Sequence, residues 1–169
     1  MKFKLLSLVA LSTLAVACGK KDAMNENQNA ESMKQVASAS MEKPLPSVKS
    51  LSGNVFVADR VFFRFDDATV EGRYSADLKA QAAYIKTKLL SNPNAMVVVE
   101  GNCDERGGVE YNIALGHKRA NAAKNVLIAE GVPADKIKTT SFGKERKLVE
   151  GTSAVAYLQN RAAVTKVQE

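Results

Sequence analysis

The chain has 169 residues, of which 46% are hydrophobic and 25% charged, and it contains no tryptophan. This is an ordinary globular composition, with room for one domain and appended segments. The formal net charge is +6, but Lys2 and Lys4 lie in a segment that we expect to be removed. Without those two, the 24 basic residues fall to 22 against 18 acidic ones. That excess is too small to indicate a nucleic-acid-binding protein.

The N-terminus has the pattern of a bacterial lipoprotein signal. After the basic head, thirteen residues from Leu5 to Ala17 are mostly apolar, against the roughly 20 that a membrane-spanning helix needs. The small residues before Cys18 resemble a lipobox, although Ala15 stands where leucine is usual. We therefore expect residues 1–17 to be a signal peptide and Cys18 to be acylated, for example with palmitate. The alternative is a plain secretory signal with Cys18 incidental.

Residues 18–50 are expected to be a lipidated N-terminus and flexible tether. The segment has no aromatic residue and is rich in Asn, Ser, Ala, Lys and Glu, so it cannot bury enough apolar area to offset its ordering entropy. A helix around Met24–Ala39 is the competing interpretation, because several of its residues favour helix. With Cys18 used for lipid attachment, Cys103 has no partner within the chain, which excludes a disulfide framework.

Residues 51–169 are expected to form the folded domain. Its first strand is predicted at Val61–Phe65 from aromatic and β-branched residues. A helix with Ser75 as N-cap and Asp77 in its first turn follows. Its apolar stripe is formed by Leu78, Ala82, Ile85 and Leu89. "SNPN" ends this helix, and the continuous run Met96–Val99 predicts a strand covered on both faces.

The second half of the domain repeats this alternation. A helix is predicted from Tyr111 to about Glu130, followed by Gly131 as its C′ residue. The remaining elements are a strand at Ile137–Phe142, a short helix at Ser153–Asn160 and a strand at Arg161–Val167. The order β-α-β-α-β-α-β predicts an α/β fold with helices packed on one mixed four-stranded sheet.

The loop after the second strand carries the candidate site. Asp104 leaves the end of that strand, and two glycines allow a sharp turn into the next helix. Asn112, Leu115 and Arg119 are spaced by three and four residues, so they share one face of this helix. An arginine binds a carboxylate bidentately, and an aspartate can bind an ammonium group. Asp104 and Arg119 could therefore read a small zwitterion such as an amino-acid head group, with Leu115 on its aliphatic part.

The stretch "GNCDERGGVEYNIALGHKRANAAKNVL" closely resembles the signature of OmpA-like domains, and specifically that of the peptidoglycan-associated lipoprotein (Pal) family. "VFFRFDDATV", "SFGKE" and "NRAAVTKV" match that family in order, so the resemblance covers roughly residues 55–169. It implies an OmpA-like domain that binds peptidoglycan noncovalently through the meso-diaminopimelate of the stem peptide. In such domains the residues matching Asp104 and Arg119 hold the diaminopimelate head, while those matching Asn112, Leu115 and Phe65 line the pocket.

The resemblance also implies partners and a location. Members bind the periplasmic propeller protein TolB, belong to the Tol-Pal system and support envelope integrity and cell division. The expected location is the outer membrane, with a lipid anchor and the domain facing the periplasm; the absence of Asp after Cys18 favours that membrane. No cofactor or metal is expected. This sequence departs from the family at Asn102, where many members have histidine, and at His117-Lys118.

Several alternatives remain open. Asp104 and Arg119 could form only a structural ion pair, and Glu105 and Arg106 are interpreted as loop-surface charges. Cys103 is expected to be a small buried filler and His117 to be solvated. The rival functions are another OmpA-like anchoring protein that does not bind TolB, a stator protein, or a peptidoglycan-acting enzyme. An enzyme would need a nucleophile or metal constellation, and the sequence does not show one.

Overall fold

The computed structural model describes residues 57–168, which form one four-stranded sheet with helices packed on it. The strands are β1 (Arg60–Phe62), β2 (Met96–Asn102), β3 (Ile137–Gly143) and β4 (Ala162–Gln168). Their order in the sheet is β1-β4-β2-β3, with β2 and β3 parallel and the other two pairs antiparallel. The predicted fold class is thereby confirmed. The predicted signal peptide, acylated Cys18 and tether lie outside the described residues.

Within residues 57–168, three helices alternate with the strands: α1 (Gly72–Ser91), α2 (Val109–Ala129) and α3 (Ala154–Asn160). A short 3₁₀ turn at Ala134–Lys136, which the sequence analysis did not predict, precedes β3. Gly131 has a φ of +89° just beyond α2, as expected of a C′ glycine. Among the described residues no helix is both long and apolar enough to cross a membrane.

The start of α1 corrects the predicted N-cap. Glu71, not Ser75, occupies that position, and its carbonyl accepts a hydrogen bond from the amide of Tyr74 at 2.9 Å. Ser75 therefore lies inside the helix. The early start buries Tyr74, whose ring meets Phe62 of β1 edge to face with centroids 6.1 Å apart. Packing of this aromatic pair decides the boundary, and it outweighs the local capping preference of serine.

The first strand is shorter than the predicted Val61–Phe65. The amide of Phe63 still donates to the carbonyl of Arg161 at 2.9 Å. The carbonyls of Phe63 and Arg64, however, accept from the side chains of Arg161 and Arg119. Regular pairing with β4 therefore ends at Phe62, because arginine side chains replace the neighbouring strand as hydrogen-bond partners.

The core lies between the sheet and the helices α1 and α2. Leu78, Ala82 and Ile85 of the predicted stripe are fully buried, and Leu89 packs at its margin. In β2, Val97 and Val99 are fully buried, whereas Met96 and Val98 are partly exposed. The prediction that this strand is covered on both faces was therefore wrong at its start, where Met96 and Val98 alternate with the buried valines.

A close contact between α2 and β2 sets the position of the candidate site. A Cβ atom on Gly101 would lie 1.8 Å from the carbonyl oxygen of Gly116. One on Gly116 would lie 2.1 Å from the Oγ atom of Ser141. Only glycine permits the backbones to approach so closely. The N-terminal half of α2 is consequently held against the end of β2, which brings its inward face next to Asp104.

Candidate functional site

A pocket at the end of β2 gathers all five residues that the sequence analysis singled out: Phe65, Asp104, Asn112, Leu115 and Arg119. Four elements contribute to it: the segment after β1, the loop between β2 and α2, the first three turns of α2, and the junction between α3 and β4. The lining is completed by Asp66, Cys103, Arg106, Gly107, Tyr111 and Arg161. The pocket therefore holds two carboxylates and three guanidinium groups, a charge pattern suited to a ligand bearing both signs.

Asp104 is the buried acid of this pocket, with only 4% of its surface exposed. Its Oδ2 atom accepts from Nη2 of Arg106 at 2.6 Å and from Nη1 of Arg161 at 3.2 Å. Its Oδ1 atom accepts from the backbone amide and Nε of Arg106. Burial alone would raise the pKa of Asp104, but the hydrogen bonds and charge of Arg106 and the contact with Arg161 outweigh it and lower that pKa. Asp104 is therefore a stable carboxylate at neutral pH.

Arg119 is fully buried beneath the pocket and bonds mainly to backbone carbonyls. Its Nε donates to Asp67, its Nη1 to Asn102 and its Nη2 to Arg64, at 2.8, 2.9 and 3.1 Å. Burial lowers the pKa of Arg119, yet a guanidinium remains charged in proteins. Its positive charge is therefore fixed at the pocket floor, where three chain segments meet.

In the described structure, Asp104 and Arg119 do not form the structural ion pair that was the alternative prediction. The partners of the Asp104 carboxylate are Arg106 and Arg161. Arg119 instead contacts carbonyls and, at 3.3 Å, the sulfur of Cys103. The two predicted residues share the pocket without pairing with each other, so each has a separate supporting network.

Asn112 and Leu115 form the side of the pocket that belongs to α2. The Nδ2 atom of Asn112 donates to the carbonyls of Arg106 and Gly108, at 2.8 and 3.0 Å. These bonds stabilise the backbone of the loop that carries Asp104. Gly107 has a φ of +92° in this loop, a conformation that favours glycine. Leu115 is buried and supplies the apolar wall.

Aromatic rings form the outer rim. Phe65 is 59% exposed, and the guanidinium carbon of Arg106 lies 4.1 Å from its ring centroid. Tyr111 is also exposed, and its hydroxyl donates to the carboxylate of Asp66. Asp66 adopts a φ of +55° in the turn that follows Phe65. An amphipathic ligand would therefore meet apolar surface at the mouth and charge at the floor.

The structure corrects the interpretation of Arg106 and supports the interpretations of three other residues. Arg106 is not a simple surface charge, since it pairs with Asp104 and contacts two aromatic rings. Glu105 does lie at the surface, where Lys147 and Tyr157 donate to it. Cys103 is a buried filler whose pKa is raised by burial, and His117 is exposed. Within residues 57–168 no cluster of three or more His, Cys, Asp or Glu could hold a metal ion.

Arg161 is the pocket residue that sequence analysis missed most completely. It lies 57 positions from Asp104 in the chain, and its Nε also donates to the carbonyl of Phe63 at 3.0 Å. The matching segment "NRAAVTKV" predicts a strand that begins at Arg161 and assigns this residue no role in the site. A local motif gives no indication that this residue crosses to the loop after β2.

Comparisons with known proteins agree with this geometry. The model of the OmpA family matches residues 62–161. The chain belongs to the OmpA family. It is 48% identical over 104 residues to the peptidoglycan-associated lipoprotein of Pasteurella multocida, covering 62% of this chain and 67% of that protein. The Legionella pneumophila protein of that name is 32% identical over 167 residues, covering 94% of this chain and 91% of the relative.

A solved structure extends the agreement to the fold. The peptidoglycan-associated lipoprotein of Burkholderia pseudomallei superimposes with a TM-score of 0.61 at 37% identity, covering 67% of this chain and 92% of that one. Within the OmpA family the chain is therefore one of the peptidoglycan-associated lipoproteins, as its signature motif predicted. These relatives carry the name of a wall-associated lipoprotein, and none of the three names denotes an enzyme.

Proposed function

We propose that this lipoprotein binds peptidoglycan noncovalently through the meso-diaminopimelate of the stem peptide and so links the outer membrane to the cell wall. The observation that carries the proposal is the convergence of Phe65, Asp104, Asn112, Leu115 and Arg119 on one pocket. Diaminopimelate bears a carboxylate and an ammonium on the same terminal carbon, and the pocket offers charges of both signs within a partly apolar wall.

Each group of the pocket has a role in this proposal. Asp104 accepts hydrogen bonds from the ligand ammonium, since it is an ionised acid at the pocket floor. Arg119 supplies the positive charge toward which the ligand carboxylate is oriented. Leu115 and Phe65 contact the aliphatic chain, and Asn112 stabilises the loop that presents Asp104. This binding makes and breaks no covalent bond, so the proposed role is that of an anchor and not of an enzyme.

The arrangement of the whole chain follows from the same proposal. Residues 1–17 direct export, Cys18 carries acyl chains in the outer membrane, residues 18–50 are the tether, and the domain of residues 51–169 binds the wall in the periplasm. Fully extended, the 32 residues after Cys18 reach on the order of 100 Å. Two or more acyl chains suffice for stable anchoring. A TolB-like periplasmic protein is the proposed protein partner, within a Tol-Pal system that supports envelope integrity and division.

Calorimetric titration of residues 18–169 with a diaminopimelate-containing stem peptide tests the wall-binding proposal. We expect binding to the wild type and a loss of at least tenfold in Asp104→Asn, because the isosteric amide lacks the negative charge that attracts the ammonium group. A peptide with lysine in place of diaminopimelate lacks the distal carboxylate and serves as the matched ligand control. Equal affinity for both peptides would contradict the proposed zwitterion recognition.

Arg119 needs a more careful variant because its side chain is buried and supports three backbone carbonyls. Arg119→Lys retains the charge but not the planar hydrogen-bond geometry, and circular dichroism should establish that it folds. We expect weaker peptide binding in the folded variant. Incubation of the wild type with purified sacculi provides the test against an enzyme: release of soluble muropeptides would overturn the anchoring role.

A further inference from the structure

The side chain of Arg106 occupies a site built for a cation. Its guanidinium carbon lies 4.1 Å from the ring centroid of Phe65 and 4.8 Å from that of Tyr157. Its Nε and Nη2 atoms donate to the two carboxylate oxygens of Asp104 at 3.2 and 2.6 Å. A buried carboxylate below and two aromatic rings beside it attract any cation, whether guanidinium or ammonium.

Arg161 contacts the same carboxylate but is held very differently. It is buried, and its Nε donates to the carbonyl of Phe63 at 3.0 Å. It therefore has an anchor that does not depend on Asp104. The side chain of Arg106 is 37% exposed, and its hydrogen bonds in the described structure go to Asp104 alone. Of the two arginines, only Arg106 can leave Asp104 by rotating its side chain into solvent.

The backbone at Arg106 can remain in place during that movement. Its carbonyl accepts from Nδ2 of Asn112 at 2.8 Å, and its amide donates to Oδ1 of Asp104 at 3.1 Å. Neither bond involves the guanidinium. The loop geometry is thus independent of the position that the side chain adopts.

We propose that Asp104, Phe65 and Tyr157 form a cation subsite which Arg106 fills in the free protein, and that the ammonium group of the ligand enters by displacing this side chain. The identity of the ligand as diaminopimelate rests on the proposed function. Arg106 is then an internal competitor that determines affinity: ligand binds only to the fraction of molecules in which the subsite is vacant, and the apparent affinity falls by that fraction.

Removal of the competitor gives a distinctive result. In Arg106→Ala the peptide containing diaminopimelate should bind about fivefold more tightly than to the wild type, as expected when one partly exposed ion pair no longer competes. The change also removes a positive charge near an acidic ligand, which by itself weakens binding. Tighter binding therefore cannot come from the altered net charge. Lys79→Ala, which removes an exposed positive charge from α1, is the control and should leave the affinity unchanged.

The experiment is calorimetric titration of residues 18–169 in the three forms: wild type, Arg106→Ala and Lys79→Ala. Tighter binding by Arg106→Ala alone supports the displacement. Equal or weaker binding by Arg106→Ala overturns it, and the proposed wall-binding function still stands if the wild type binds. Absence of binding in all three forms rejects the proposed function. A second probe then tests whether the cation subsite exists.

That probe is methylguanidinium, followed by the NMR signals of the Tyr157 ring. In Arg106→Ala, millimolar methylguanidinium should occupy the vacant subsite and shift these signals saturably. The wild type, in which Arg106 fills the site, and the double variant Arg106→Ala/Asp104→Asn, which lacks the carboxylate, should show no saturable shift. If Arg106→Ala shows none either, the cation subsite is rejected regardless of the peptide result.

Discussion

The two parts of the segment from Met96 to Asp104 both bury side chains, but these side chains are chemically opposite. In the first part, Val97 and Val99 are fully buried and belong to the apolar core cluster. Beyond Gly101 the chain is also buried, yet it carries the polar residues Asn102 and then Asp104. A buried valine is stabilised by leaving water, whereas a buried carboxylate must be compensated by hydrogen bonds and opposite charges. The candidate site therefore lies where burial alone does not stabilise the fold and must be accompanied by hydrogen bonds and opposite charges.

The largest effect is expected at the junction of these two parts. Gly101→Ala places a methyl group 1.8 Å from the carbonyl oxygen of Gly116, so α2 must move away from β2. We expect a loss of about 4 kcal/mol or more in the free energy of unfolding, measured by urea denaturation. Gly72→Ala is the matched control, because a Cβ there meets nothing within 4 Å. A similarly stable Gly101→Ala protein would show that the contact between α2 and β2 is not needed.

The apolar part is tested by a pair of leucines on one helix. Leu78→Ala removes a fully buried side chain from the core that β2 shares, and we expect it to reduce the free energy of unfolding by about 2–4 kcal/mol. Leu90→Ala makes the same chemical change at a position that is 85% exposed and should alter stability by less than about 0.5 kcal/mol. Comparable losses in the two variants would contradict the assigned core.

The polar part is tested by Asp104→Asn, with a smaller expected effect on stability. The amide leaves Arg161 buried without its carboxylate partner, which should reduce the free energy of unfolding by about 1–3 kcal/mol at pH 7. Unlike Leu78→Ala, this variant should also lose peptide binding.

The stability difference between the wild type and Asp104→Asn should depend on pH. The pKa of Asp104 is lowered in the folded protein, so its carboxylate contributes stability above the unfolded-state pKa of about 3.9. That contribution is lost as the pH falls through the lower, folded-state pKa. The gap between wild type and Asp104→Asn should therefore be widest near neutral pH and shrink on acidification below about pH 4. Glu100 also has a lowered pKa, but it is present in both proteins and cancels in the difference.

Local sequence features were enough to predict the strands, the helices and the face of α2 that carries Asn112, Leu115 and Arg119. The strands follow from short runs of β-branched and aromatic residues, and the helix faces from residues three or four positions apart. The start of α1 was misplaced because Tyr74 packs against Phe62, a contact between different elements. Within the site, sequence spacing could not reveal that Arg161 approaches Asp104 from 57 residues away, or that Arg119 reaches carbonyls 52 and 55 positions away. Such contacts exist only once the sheet has assembled.

The short first strand has a mechanical consequence. A pull on the preceding chain enters the described domain through β1, which pairs with β4 over just three residues. Immediately beyond β1, the carbonyls of Phe63, Arg64 and Asp67 are held by Arg161 and Arg119. Tension on this edge strand would therefore reach two buried guanidinium groups that also line the pocket. A force applied between this strand and a ligand in the pocket would thus act mainly on the bonds of Arg119 and Arg161 to the segment after β1.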